Sequence, residues 1–297
     1  MHKSDTFYFF TDNSTDIFYF VQDDLIIFLD SYDTKADNVQ TSIPVLLNLL
    51  ESRGPSNAKV AEAGLFKFDA PLAMNESNAA FIASKGGIPL ILSLLELHAS
   101  DADVAKAGLN AIEELANGDN KETATAIVSQ KAFALIFRLL DEHKTNGDVV
   151  DQGFEALKGL TKNDANKEIF VNSGSIAVVL KLVEELSYAD VSARGKGLQL
   201  FKHCCNKDED HATTIALIVK LLVQYCTKYT TEGTDENGDE RPKPFHVAIH
   251  GCGALRKLAE NDANKQIILP FTDQFKELRD QVPEDCIEYF DKLIAVL

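Results

Sequence analysis

The sequence predicts an all-α chain made of stacked, repeated helical units. Three features carry this expectation: an apolar octapeptide that returns about every 44 residues, a glycine in step with it, and an Asn-rich turn between units. The octapeptide spans Ile43–Leu50, Ile88–Leu95, Phe133–Leu140, Ile176–Val183 and Ile215–Leu222, with starts separated by 45, 45, 43 and 39 residues. Each copy is apolar at its first, fourth, fifth, seventh and eighth positions. Such a wide stripe belongs to a helix buried between neighbours.

The glycines are Gly64, Gly108, Gly153, Gly197 and Gly251, spaced by 44, 45, 44 and 54. A mid-helix glycine costs about 1 kcal/mol against alanine. Its return at one register therefore predicts a close helix–helix approach where a Cβ would collide. Paired residues follow four of the glycines at seven and eight positions: Leu115-Ala116, Leu160-Thr161, Cys204-Cys205 and Leu258-Ala259. The turn marker is clearest in Asn163–Ile169 and Asn261–Ile267, nearly identical and 98 residues apart, with weaker copies at Asn75–Asn78 and Gly118–Lys121. Asn and Asp there suit the N-cap of a short helix. Gly86-Gly87 and Ser173-Gly174 suit its end, where glycine permits positive φ.

The unit is thus a short helix, a middle helix and a longer third helix. Residues 1–39 stand apart, with eight Asp, two Lys and the runs Phe7–Phe10 and Phe18–Phe20. Apolar residues at 17, 18, 21, 25, 28 and 29 fit a helical stripe from Asp16 to Tyr32, which predicts a cap over the first repeat. Docking of this acidic aromatic segment into a groove or partner, and a weakly ordered extension, are the alternatives. Residues 40–297 form the repeat domain. Residues 228–244, rich in Gly, Pro and charge, read as a loop insertion that explains the long last glycine spacing. Residues 283–297 read as a closing helix, with Pro283 in its first turn and Glu284 and Asp285 favourable there.

Three markers in phase over five units resemble the armadillo-repeat family across roughly residues 40–282, and Gly251–Lys265 matches its pattern most fully. The resemblance implies a right-handed armadillo-type α-solenoid of about five to six three-helix repeats, with helical caps and third helices lining a concave groove. In family members that bind extended peptides, the third helix presents a Trp and, four residues later, an Asn. By the glycine register the Trp positions here are Phe66, Asn110, Glu155, Gln199 and Gly253. The Asn positions are Ala70, Glu114, Gly159, His203 and Lys257. Neither ladder is present, and the chain has no Trp at all, so nuclear-import cargo recognition is not expected.

Composition narrows the function. The 297 residues carry 46 acidic and 29 basic side chains, a net charge of −17 of which about −6 falls in the first 39 residues. General nucleic-acid binding needs clustered Lys and Arg, and anionic membranes need the same, so neither partner is expected. No run reaches the roughly 18 apolar residues of a spanning helix. Met1-His2-Lys3 followed by Asp5 and Asp12 does not read as a secretory signal, and position 2 is not glycine. Five Cys without a CxxC pair suit reduced thiols in the cytoplasm or nucleus.

No phosphate loop, dinucleotide fingerprint, HExxH or nucleophile elbow occurs, so no enzyme activity, cofactor or metal is expected. His246 and His250 share a helix face, but Cys252 lies off it, and Cys204 and Cys205 take core positions. The expected site is a partner-binding groove of Glu62, Phe66, Asn110, Glu114, Asp151, Glu155, Gln199, His203 and Lys257, acidic in its N-terminal half. Its partner is a protein or peptide, with a basic segment steered by the acidic residues. The expected function is a non-catalytic, monomeric interaction scaffold or adaptor, and the alternative a regulatory subunit of a small GTPase or kinase. A metal protein or hydrolase is the disfavoured third reading.

Overall fold

A computed structural model describes residues 9–11, 17–19, 39–68, 76–117, 121–186, 191–206, 211–227 and 245–297. The chain divides into two compact units, Met1–Lys167 and Glu168–Leu297.

The first unit begins with β1 (Phe9–Thr11) and β2 (Ile17–Tyr19), an antiparallel pair with Phe10 opposite Phe18. This corrects the helix expected to start at Asp16. Isoleucine, phenylalanine and tyrosine all favour a pleated strand, and adjacent apolar residues fit either period. The rest of that stripe, and with it the expected capping role, lies outside the described residues.

The helices of this unit are α1 (Val39–Arg53), α2 (Ala58–Phe66), α3 (Glu76–Ser84), α4 (Gly87–Leu97), α5 (Ala102–Ala116), α6 (Lys121–Ser129), α7 (Ala132–Glu142) and α8 (Gly147–Leu160). A ninth, α9 (Asp164–Asn172), holds the boundary between the units. The short–middle–long order expected from the markers recurs as α3–α4–α5 and α6–α7–α8. Short and middle helices meet at 73° in the first triplet and 72° in the second. The bend follows a left-handed residue, Gly86 at φ 80 and Lys131 at φ 65.

Each third helix opens on a side-chain cap. The Asn57 Oδ1 accepts from the Lys59 and Val60 amides at 3.0 and 3.4 Å. Asp101 does the same for Asp103 and Val104, and Asn146 for Val149. These caps meet backbone donors that the helix itself leaves unpaired. The short helix α9 is capped as expected, with Asn163 accepting from the Ala165 amide at 2.9 Å. The buried Asn166 amide donates to the Leu160 carbonyl at 3.0 Å.

The two strongest sequence markers meet each other in space. A Cβ on Gly64 would lie 2.8 Å from the Leu50 Cγ, one on Gly108 2.6 Å from the Leu95 Cγ, and one on Gly153 3.0 Å from the Leu140 Cγ. Each leucine is the last residue of an octapeptide, and each is fully buried. Third helices α2, α5 and α8 pack side by side, so the same close approach repeats along the unit. A histidine ladder runs beside it. The His98 Nε2–H donates to the Gly54 carbonyl at 2.8 Å, and the His143 Nε2–H to the Ala99 carbonyl at 2.7 Å.

The second unit contains α10 (Ser175–Glu185), α11 (Val191–Cys204), α12 (Ala212–Thr227), α13 (Phe245–Leu258), α14 (Asp262–Ile268), α15 (Thr272–Arg279) and α16 (Glu284–Ile294). Helices α11, α13 and α16 form its side-by-side layer. Gly174 at φ 76 turns the chain into α10, and Gly251 receives Leu222, whose Cδ2 lies 3.0 Å from a Cβ position. The C-terminus of α10 is satisfied by the buried Arg194. Its Nε donates to the Val183 carbonyl at 3.1 Å and its Nη2 to the Leu186 carbonyl at 2.7 Å, while the guanidinium lies 4.3 Å from the Tyr225 ring. Pro283 stands as the N-cap of α16, one residue before the expected first-turn position, with Glu284 and Asp285 in that turn. The insertion 228–244 lies outside the described residues.

Glycine-to-alanine changes separate close approach from propensity. Gly108→Ala should lower stability by about 1–3 kcal/mol, because Leu95 must move in a packed core. Gly159→Ala, whose Cβ would stand 3.5 Å from its nearest neighbour, should instead be neutral or raise it by up to about 1 kcal/mol. Equal losses in urea titrations of the two variants would refute the close-approach account. Lys131→Gly should raise stability by about 1 kcal/mol, since glycine takes positive φ without the Cβ penalty, and thermal unfolding measures it.

Candidate functional site

The third helices of the first unit frame a cleft of about 560 Å³. Helix α2 brings Lys59, Glu62 and Phe66, α5 brings Asp103, Lys106 and Asn110, and α8 brings Gln152. Spacings of three and four place these residues on one face of each helix. Phe66 is 61% exposed, although a phenylalanine loses free energy by facing water. The Asn110 side chain has no hydrogen-bond partner among the described residues.

The cleft walls are tied by ion pairs between neighbouring helices. The Lys59 ammonium lies 2.8 Å from Glu62 and 3.2 Å from Asp103, and Lys106 lies 2.6 Å from Asp148. Hydrogen bonds donated to Glu62 and Asp103 hold the Lys59 ammonium charged well above its usual range. The hydrogen bond from Lys106 holds the Asp148 carboxyl below its ordinary value. These pairs are exposed, so they orient side chains more than they stabilise the fold. The Gln152 amide donates to Glu113 and fixes that edge.

Of the nine expected groove residues, the cleft unites Glu62, Phe66 and Asn110. Glu114, Asp151 and Glu155 sit half-buried on α5 and α8, outside its lining, and Glu155 pairs with Lys158. Gln199, His203 and Lys257 belong to the second unit. Sequence reasoning missed Lys59, Asp103, Lys106 and Gln152. Asp103 and Asp148 recur at a 45-residue spacing, a signal that the apolar markers overshadowed. The lining itself holds two lysines, Lys59 and Lys106, and two carboxylates, Glu62 and Asp103, and so is charge-balanced, while the other acidic residues of the expected groove, Glu114, Asp151 and Glu155, lie outside it.

The described residues hold no group of three His, Cys, Asp or Glu able to ligate a metal. The His246 and His250 rings stack at 6.4 Å, while Cys252 points into the core at 1% exposure. All five cysteines are free and buried. Burial, with a smaller contribution from Cys286, pushes the Cys226 thiol up to about 12. Burial, with Asp285 adding to it, does the same for Cys286, and Cys252 is raised well above its ordinary value by burial and by both other thiols. Nucleophilic chemistry needs a thiolate, so these groups are unreactive packing residues.

No protein-family model matches the chain, and no curated protein matches it. Solved structures do. One engineered protein from the Northeast Structural Genomics Consortium superposes with a TM-score of 0.62 at 18% identity, covering 86% of this chain and 96% of its own. A second engineered protein from the same consortium gives a TM-score of 0.59 at 18% identity, over 92% of this chain and 67% of that one. At such identity the likeness is one of fold.

The thiols supply a test. Iodoacetamide at pH about 8 should leave Cys226, Cys252 and Cys286 unmodified in the folded protein and label them after denaturation, read by mass spectrometry. With rising pH the sign is also fixed. The folded state holds protons on Cys226 and Cys286 between the ordinary value of 9.0 and about 12. The stability they contribute is complete below the lower value and lost as pH rises through the upper one. Replacing both by alanine should flatten that alkaline loss.

Proposed function

We propose that this chain is a non-catalytic interaction scaffold whose helical units are segments of an armadillo-type solenoid, and that its first unit binds a partner protein segment on the third-helix layer. The observation that carries this reading is the pairing of the exposed Phe66 with the Asn110 amide across one cleft. An aromatic face takes an apolar side chain, and a primary amide takes a peptide's N–H and C=O together. Phe66 leaves most of its ring in solvent and Asn110 has no hydrogen-bond partner among the described residues, so both are open to a partner.

The cleft's own charges cancel, and therefore contact specificity rests on Phe66 and Asn110. The field of a −17 chain still favours approach by a partner of net positive charge. That contribution should be a rate effect that weakens with salt.

The double variant Phe66→Ala, Asn110→Ala should retain the wild-type circular dichroism and unfolding midpoint. It should lose partners that the wild type captures from a lysate, with affinity for an identified partner falling at least about tenfold, as for a hot-spot pair. Unchanged capture by the double variant would remove the cleft from the recognition surface.

A further inference from the structure

We infer that the α11–α13 face of the second unit is a separate docking surface for a short segment rich in Asp and Glu on a partner protein. In a chain of net charge −17, helices α11 and α13 contain no carboxylate at all. Their surface instead carries Lys196, Lys202 and His203 on one helix and His246, His250 and Lys257 on the other. The third helices of the first unit have the opposite character, with acidic residues on α2, α5 and α8 alike.

The basic side chains are gathered by packing. Gly195 of α11 sits directly against His246 of α13, and Lys202 lies across Gly253, its Nζ 3.1 Å from where a Cβ would stand. The Lys257 Nζ donates back to the Lys202 carbonyl at 2.8 Å. Glycine at 253 thus leaves room for Lys202 to reach across from α11, while Lys257, one turn further along α13, reaches back to α11. Lys202 and Lys257 meet no carboxylate among the described residues. Two ammonium groups on adjoining helices that meet no carboxylate among the described residues, in an acidic molecule, suit a segment of anionic side chains.

The size of the surface selects the occupant. Packed helices stand about 8–10 Å apart, so two of them are spanned by a few residues. On the far side of α13 lies α16, which carries Glu284, Asp285, Glu288 and Asp291. A long polyphosphate would run onto those carboxylates, whereas a short acidic peptide would not.

The test uses the full chain and a fluorescein-labelled peptide of alternating Asp, Glu and Gly, followed by anisotropy. The wild type should bind it, and binding should weaken as ionic strength rises from about 0.01 to about 0.15 M. Lys202→Glu with Lys257→Glu should lower affinity at least about tenfold. Lys202→Gln with Lys257→Gln, which keeps the side-chain volume, should lower it less. Phe66→Ala with Asn110→Ala should leave it unchanged, which separates this surface from the cleft of the first unit. No binding by the wild type, equal binding by the folded lysine variants, or tighter binding of a single-stranded oligonucleotide than of the peptide would each overturn the proposal.

Discussion

The close approach of a third-helix glycine to the last leucine of the preceding apolar octapeptide sets the geometry within each unit. Gly64 with Leu50, Gly108 with Leu95, Gly153 with Leu140 and Gly251 with Leu222 repeat one contact. A leucine buried there gains roughly 1.5–3 kcal/mol from leaving water. The glycine opposite forfeits about 1 kcal/mol of helix propensity. The balance favours the pair only if the two helices come close enough for the leucine to fill the missing Cβ. That condition fixes their separation, and the third helices then follow one another side by side. The cleft and the basic face both lie on layers placed by this contact.

Apolar contact alone would leave backbone groups at the helix ends unpaired. The polar residues solve this with the same period. Asn57, Asp101 and Asn146 cap successive third helices, while His98 and His143 reach back to carbonyls 44 residues earlier. Where the series is interrupted, another side chain substitutes. Leu186 occupies the cap position at the end of α10 that His98 and His143 hold at the ends of α4 and α7. Arg194 then supplies donors to the Val183 and Leu186 carbonyls. A buried guanidinium is tolerable there because two carbonyls and the Tyr225 ring surround it.

The helical part of the fold was legible because its central contact is periodic in sequence: octapeptide and glycine could both be read before they were seen to touch. The Asn163 and Asn261 caps were legible for the same reason. The caps at Asn57, Asp101 and Asn146 were equally periodic but fall outside the apolar stripe, and so they drew no notice. Lys131 hid its left-handed turn by not being glycine. Ile17–Tyr19 misled, since contiguous apolar residues fit a strand as well as a helix. In the site, Phe66 and Asn110 followed from the glycine register. Lys59 and Lys106 did not, because their roles depend on carboxylates that only helix packing brings near.

Net charge is the descriptor that the folded structure revises most. A value of −17 argues against anionic partners only if charge is spread evenly over the surface. It is not. Lys59 partly neutralises Glu62 of α2 and Asp103 of α5, and Lys106 does the same for Asp148 of α8, which flattens the field inside the first unit's cleft. In the second unit α11 and α13 carry no carboxylate of their own, and Lys202 and Lys257 meet none among the described residues, which is the local positive character that the proposed acidic segment would sense. At physiological salt a charge is felt over about 8 Å, close to the spacing of two packed helices. What a docking segment senses is therefore the pair of helices beneath it, and the total charge of the chain governs only its approach from farther away.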